Sequence, residues 1–245
     1  MFVVGALGAS TLDLLALSPP GWGATLLRGL WNSVLIATGA YALGLLIGIG
    51  GAYGKLYGSP IVKDLLAVYT TLVRAVPELV LILILYFAVT DAVNQIILAF
   101  GGNRIEISGV VAGIAVLGVV QGAYATEVLR GAILAVPTGQ IEAAKAMGMP
   151  AGLLARRITL PLMLSFAIPG LANLWLVATK DTALLAVVGF AELTQATRQA
   201  ASTTKAFFTF YAAAGVLYLV LSIASTMMFA RIEKWARRGQ RRTEG

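Results

Sequence analysis

The chain has 245 residues, 59% of them hydrophobic and only 12% charged, with a formal net charge of +7 and neither cysteine nor histidine. A soluble domain is nearer half apolar and a quarter charged, so this composition describes a polytopic membrane protein. The missing residue types exclude disulfides, thiol nucleophiles, iron–sulfur clusters, imidazole bases and the usual zinc sites, and no metal site is expected. The basic residues gather at the ends of apolar runs, a pattern of membrane topology rather than of nucleic-acid binding.

Residues 1–23 lack a basic start, contain Asp13 and close on Ser18-Pro19-Pro20-Gly21. A cleaved signal peptide needs the positive start, and the run is too short and interrupted to span. The expectation is an outer segment lying on the membrane. Five later runs reach the ~20 residues needed to cross: about 24–50, 61–90, 109–131, 162–190 and 207–231. The second and fourth carry polar breaks, and an alternative count splits one of them into two short halves.

Charge orients the set. With the amino terminus outside, the cytoplasmic side receives Lys55, Lys63, Lys145, Arg156 and Arg157, and the tail 232–245 follows Arg231 with further basic residues to Arg242. The outer loops keep Arg104, Arg198 and Lys205, diluted by Asp91, Glu106 and Glu192. Small residues at four-residue spacing, Ala40/Gly44/Gly48 in the first run and Gly109/Gly113 and Gly118/Gly122 in the third, mark close helix packing within the bundle.

Between the third and fourth runs, residues 137–161 are unlike their surroundings. Ile141–Met147 is rich in helix formers, Pro137-Thr138-Gly139 supplies a turn with Thr138 as a cap, and Gly148 permits a reversal before Pro150 starts a second short helix, 151–158. Thr159-Leu160-Pro161 then marks return to the bilayer. The reading is a stiff helix–turn–helix on the cytoplasmic face. Ala143, Ala144 and Ala146 let its first helix sit deep in a groove on a partner.

Glu142-Ala143-Ala144, with Gly148 six residues after the glutamate, Ile158 sixteen after and Leu160-Pro161 beyond, resembles the "EAA" loop of importer-type ABC transporter permeases. "TTLVRAVPELVLIL", "GAYATEVLRGAILAVP" and "TKDTALLAVVGFAEL" are similar to segments of the polar amino-acid permeases. The acidic residue after Pro77 resembles the first permease subunit of histidine/lysine/arginine/ornithine and opine systems. The resemblance implies an all-α membrane protein of the type I importer permease fold in the bacterial inner membrane. It also implies a second homologous permease subunit, two cytoplasmic ATPases and a periplasmic amino-acid-binding protein as partners. Glu142, Ala143, Ala144 and Gly148 are then the residues that couple to the ATPase. The chain contains no G-x-x-x-x-G-K-[ST], so ATP and its magnesium are expected on the partner ATPase, with no cofactor in this chain.

Ionisable residues inside a span are functional candidates. Arg74 and Glu78 flank Pro77 and share a helix face, free to pair, if the helix continues. Lys180 and Asp181 fall in the outer half of the fourth run, where Lys180-Asp181-Thr182 suits a break. Glu127 and Arg130 near the cytoplasmic end of the third run are expected to neutralise one another. Arg74, Glu78, Lys180 and Asp181 are the substrate-pathway candidates, with Glu78 receiving the basic group of an amino acid and Arg74 its carboxylate. An intramembrane aspartyl protease would use two of Asp64, Asp181 and Glu78 meeting at the midplane; with Asp64 at the cytoplasmic edge, no such pair is expected. The runner-up is an ATP-independent secondary transporter, for which no inverted repeat is visible.

Overall fold

The computed structural model describes residues 11–104 and 108–236, and every regular element among them is a helix. In chain order these are α1 (Thr11–Leu14), α2 (Gly23–Tyr57), α3 (Pro60–Ala75), α4 (Glu78–Ala99), α5 (Gly109–Leu134), α6 (Thr138–Ala146) and α7 (Ala151–Leu154). A π turn (Ala155–Thr159) leads into α8 (Leu160–Asp181). A 3-10 segment (Thr182–Val188), α9 (Leu193–Thr204) and α10 (Phe207–Ala236) complete the chain. Among the described residues, five stretches are long and apolar enough to cross a membrane: Gly23–Tyr57, Glu78–Ala99, Gly109–Leu134, Ala151–Val188 and Phe207–Ala236. The first ten residues, Glu106 and the basic tail from residue 237 lie outside the described residues.

The second expected run is two helices. Ser59 caps α3 by accepting a hydrogen bond from the Val62 amide, with Pro60 in the first turn. The helix stops at Ala75 because proline disfavours helical backbone in the residue before it and brings no amide to continue the ladder. Val76 (φ −93°, ψ 139°) and Pro77 (φ −55°, ψ 135°) are extended, and α4 restarts at Glu78. With Lys63, Asp64 and Arg74 on α3, the apolar crossing proper is α4, which runs on to Ala99.

The fourth run differs the other way. No interruption occurs at Thr159–Pro161. The Leu160 amide donates to the Ala155 carbonyl, a widened i→i+5 turn that absorbs the missing amide of Pro161 without ending the helix.

The core is the seam between α2 and α5, which run parallel. Gly44 lies on Gln121 and Gly48 on Ala125, while Gly118 and Gly122 receive Leu43 and Ile47. The small-residue stripes therefore pack within the chain, as close backbone approach requires where lipid removes the hydrophobic force between helices. Around this seam, Ile36, Ile82, Leu117, Leu185 and Phe190 join α2, α4, α5 and the 3-10 segment. α8 lies antiparallel to α10, with Trp175 Nε1 donating to Ser225 Oγ at 2.9 Å and Ser165 Oγ to the Ala236 carbonyl at 3.1 Å.

A Cβ on Gly48 would stand 2.5 Å from Ala125 Cβ and 3.0 Å from its carbonyl carbon, whereas one on Gly50 meets nothing within 4 Å. Gly48→Val is expected to lower stability by about 1–3 kcal/mol through overpacking, and Gly50→Ala to leave it unchanged or slightly higher. Thermal unfolding of the two variants in detergent, side by side, checks the contrast.

Candidate functional site

The break between α3 and α4 faces the middle of α5 and the end of α8. Val73 packs on Val120 and Ala123, and the Tyr69 hydroxyl donates to the Val119 carbonyl, which fixes the break at mid-bundle height. Gln121 of α5 is 1% exposed and donates from Nε2 to Asp181 Oδ2 at 3.2 Å. Its own Oε1 has no protein partner. Asp181, the last residue of α8, is 8% exposed. The Glu78 carboxyl, opening α4, lies close to both the Asp181 carboxyl and the Tyr124 hydroxyl. Arg74, exposed at the end of α3, lies on the same side of the break as this group.

Two carboxyls, a buried amide and a phenol thus converge from three parts of the chain. Of the residues singled out from sequence, Glu78 and Asp181 meet. Arg74 and Glu78 do not form an ion pair, because the extended Val76–Pro77 pair takes them off a common helix face; the ion pairs among the described residues both involve Glu127. Lys180 is exposed while Asp181 is buried, so the adjacent charges point apart. Asp181 meets Gln121, which lies midway along α5. As the Lys180-Asp181-Thr182 stretch suits, α8 ends at Asp181, and the backbone tightens there into the 3-10 segment instead of turning away. Gln121 and Tyr124 escape a sequence search confined to charges. Their signal is two hydrogen-bonding side chains three apart on a helix of small and apolar residues.

At the other end of α5, Glu127 is held on two sides. Arg130 donates to its Oε2 from Nη2 at 2.9 Å and from Nε at 3.1 Å, as the sequence spacing suggests. Lys55 of α2, expected at the cytoplasmic surface, turns inward instead, reaching Glu127 Oε1 at 2.5 Å and Thr70 Oγ1 of α3 at 2.7 Å. The pairing offsets the desolvation that a lone buried ammonium would suffer.

Glu192, expected as a solvated loop charge, is 0% exposed. It caps α9, accepting from the amides of Thr194 (2.8 Å) and Gln195 (2.7 Å), and from the Tyr218 hydroxyl (3.2 Å) and Ser33 Oγ (3.4 Å). One carboxylate thereby ties α2, α9 and α10. Its capping position explains the burial, since the first-turn amides of a helix need an acceptor.

In the surface module, α6 starts at Thr138 with Pro137 in the cap position and no side-chain cap. Thr138 is therefore the first helical residue and not a capping side chain. Gly148 adopts φ +74°, with its amide on the Lys145 carbonyl (2.9 Å) and the Met149 amide on the Ala144 carbonyl (3.0 Å), a left-handed helix stop that suits glycine. Ala144 is buried against the returning chain and does not face outward as expected. Glu142, Ala143, Ala146 and Met147 form the exposed side.

A bundle of apolar helices with a polar cluster at mid-bundle and an exposed helix–turn–helix suits a membrane transport component. Residues 40–238 match the family described as "Binding-protein-dependent transport system inner membrane component", and the chain belongs to that family. It is 43% identical to the nopaline transport system permease protein NocQ of Agrobacterium fabrum, over 94% of this chain and 98% of that one. It is 39% identical to the histidine/lysine/arginine/ornithine permease protein HisQ of Escherichia coli, over 87% and 94%. The fold matches a solved amino acid ABC transporter crystallised with histidines at TM-score 0.77, with 26% identity, 92% of this chain and 98% of that one covered. The inward-facing MetNI methionine transporter matches in fold at TM-score 0.68 and 21% identity. The chain is accordingly a permease subunit of an ABC importer, which sets aside the ATP-independent alternative.

Burial pushes the Glu192 carboxyl above its ordinary range, partly offset by the Thr194 and Gln195 amides. The folded protein therefore keeps this proton at pH values where the unfolded chain has lost it. Stability is greatest below the ordinary carboxylate pKa and falls as pH rises through the raised one. Glu192→Gln is expected to flatten this slope, which thermal unfolding midpoints measured against pH will reveal.

Proposed function

We propose that this permease subunit passes a basic amino acid or an opine across the bacterial inner membrane, and that the Glu78–Asp181–Gln121–Tyr124 cluster lines the pocket that receives it. The carrying observation is the meeting of two carboxyls at mid-bundle. Bringing two acidic groups together in a low-dielectric interior is costly, and a guanidinium or ammonium arriving between them relieves that cost. The helix break supports the same reading. The last carbonyls of α3 lack intrahelical donors and the first amides of α4 lack acceptors, so one break offers an acceptor set for an amino group and a positive helix end for a carboxylate. Arg74 and Lys180 border this region as anion partners. The names of the nopaline and histidine/lysine/arginine/ornithine relatives agree with a cationic or guanidinium-bearing cargo. A proteolytic use of the carboxyl pair has no support from relatives of this kind.

Membership of this family supports the partners expected from the sequence. A periplasmic binding protein delivers substrate to the outer face, two cytoplasmic ATPases bind ATP and magnesium, and a second homologous permease completes the passage. In this arrangement the amino terminus is periplasmic and the carboxyl terminus cytoplasmic. Ile82 is the one buried residue of α4, which leaves apolar surface for lipid and for the sister permease. The exposed side of α6, with Glu142, Ala143 and Met147, is the ATPase-docking face, and Gly148 sets its angle.

Glu78→Gln and Asp181→Asn are each expected to raise the KM for L-arginine or nopaline uptake about tenfold or more, the size of one lost charge-assisted hydrogen bond. Proteoliposomes containing the assembled complex provide the measurement, and unchanged KM and selectivity in both variants removes the pocket from the substrate path. Gly148→Val, which forces a β-branched residue to φ +74°, is expected to abolish transport while leaving ATPase activity measurable. Wild-type transport in that variant refutes the docking role.

A further inference from the structure

We infer that Lys55, Glu127 and Thr70 form a positioning knot that makes α2, α3 and α5 one moving body, and so carries substrate occupancy at the pocket to the ATPase-docking helix. The inference rests on the pocket and docking face proposed above but concerns different residues. Glu127 lies on α5, which leads through Ala135, Val136 and Pro137 directly into α6. Thr70 lies on α3, whose end carries Arg74 and the break before Glu78. Lys55 is the link between them. Its ammonium donates to Glu127 Oε1 and Thr70 Oγ1 at 2.5 and 2.7 Å, while the Thr70 hydroxyl donates to the Leu66 carbonyl at 3.0 Å.

Two features separate this knot from ordinary surface ion pairing. Lys55 and Glu127 are both largely buried, with side chains 14% and 18% exposed, and Arg130 supplies a second, bidentate charge to the same carboxylate. The α2–α5 seam is already closed by glycine packing, so the distinctive addition of Lys55 is the tether to α3. Apart from that tether, α3 holds to α5 through the Tyr69 hydroxyl and the Val73 contact. Charged hydrogen bonds buried from water are strong but demanding in geometry, so the knot transmits displacement of either helix and does not absorb it. None of its atoms lies in the substrate pocket.

The test uses the complete transporter in nanodiscs, with the binding protein loaded with L-arginine or, separately, nopaline. Lys55→Met is expected to cut the ratio of substrate-stimulated to basal ATPase rate about fivefold or more, the lower end of ordinary coupling between sites. The KM for ATP and the basal rate stay at wild-type values, and Lys55→Arg, which keeps the charge, restores most of the ratio. Thr70→Val, which cuts only the α3 arm, gives a smaller loss and serves if Lys55→Met does not assemble. A wild-type ratio in Lys55→Met, or in Thr70→Val where that is the variant in hand, overturns the inference. If the wild-type complex responds to neither substrate, the substrate reading fails while the knot is still judged by distance. Because the chain has no cysteine, spin labels at Asp64→Cys on α3 and Leu134→Cys on α5 report one distance. That distance is expected to hold steady through ATP binding in the wild-type background and to change or broaden with Lys55→Met. Identical distances in both backgrounds overturn the knot.

Discussion

The parallel contact of α2 with α5 is the constraint on which the other arrangements rest. Inside lipid, helices gain nothing from hiding apolar surface from one another, so association depends on backbone approach and dispersion. Gly44, Gly48, Gly118 and Gly122 permit that approach, each receiving a partner side chain or backbone from the facing helix. The seam fixes α5 along most of its length, and α5 gives the elements packed on it their register: Gln121 and Tyr124 at mid-height, Glu127 and Arg130 toward one end, and the lead into α6 beyond.

On this fixed post the polar groups fall into three levels. Glu192 joins α2, α9 and α10 at one end and stays buried because it also satisfies the first amides of α9. The Glu78–Asp181–Gln121–Tyr124 group occupies the middle, where a proline break and a helix end bring chain termini of opposite polarity into one place. Lys55, Glu127, Arg130 and Thr70 hold the other end. Isolated polar groups at these depths would be expensive, and each here is paired or grouped. The arrangement confines polar chemistry to positions where helices must be oriented or a substrate met.

The membrane class, the small-residue stripes and the reversal at Gly148 were legible in the sequence because each follows from local chemistry: apolar length, side-chain volume and left-handed backbone. The "EAA" spacing carried the family. What local reading could not settle was direction. Glu192 reads as a loop charge until the cap of α9 turns it inward, and Ala144 reads as a docking residue until the return of the chain covers it. Arg74 and Glu78 sit four apart, which is a pairing distance only on an unbroken helix; Val76–Pro77 breaks it. Lys55 reads as a topology marker, and its inward turn depends on a carboxylate seventy-two residues away. Gln121 carries no charge and so attracts no notice until Asp181 arrives beside it.

The central claim is that substrate pauses at the break between α3 and α4. Photolabelling of the assembled complex with a diazirine-bearing arginine analogue, followed by peptide mapping, addresses it most directly. The account predicts label on peptides covering residues 72–82 and 119–126, suppressed by excess unlabelled L-arginine. Label confined to residues 189–206, or insensitive to competing arginine, would contradict it.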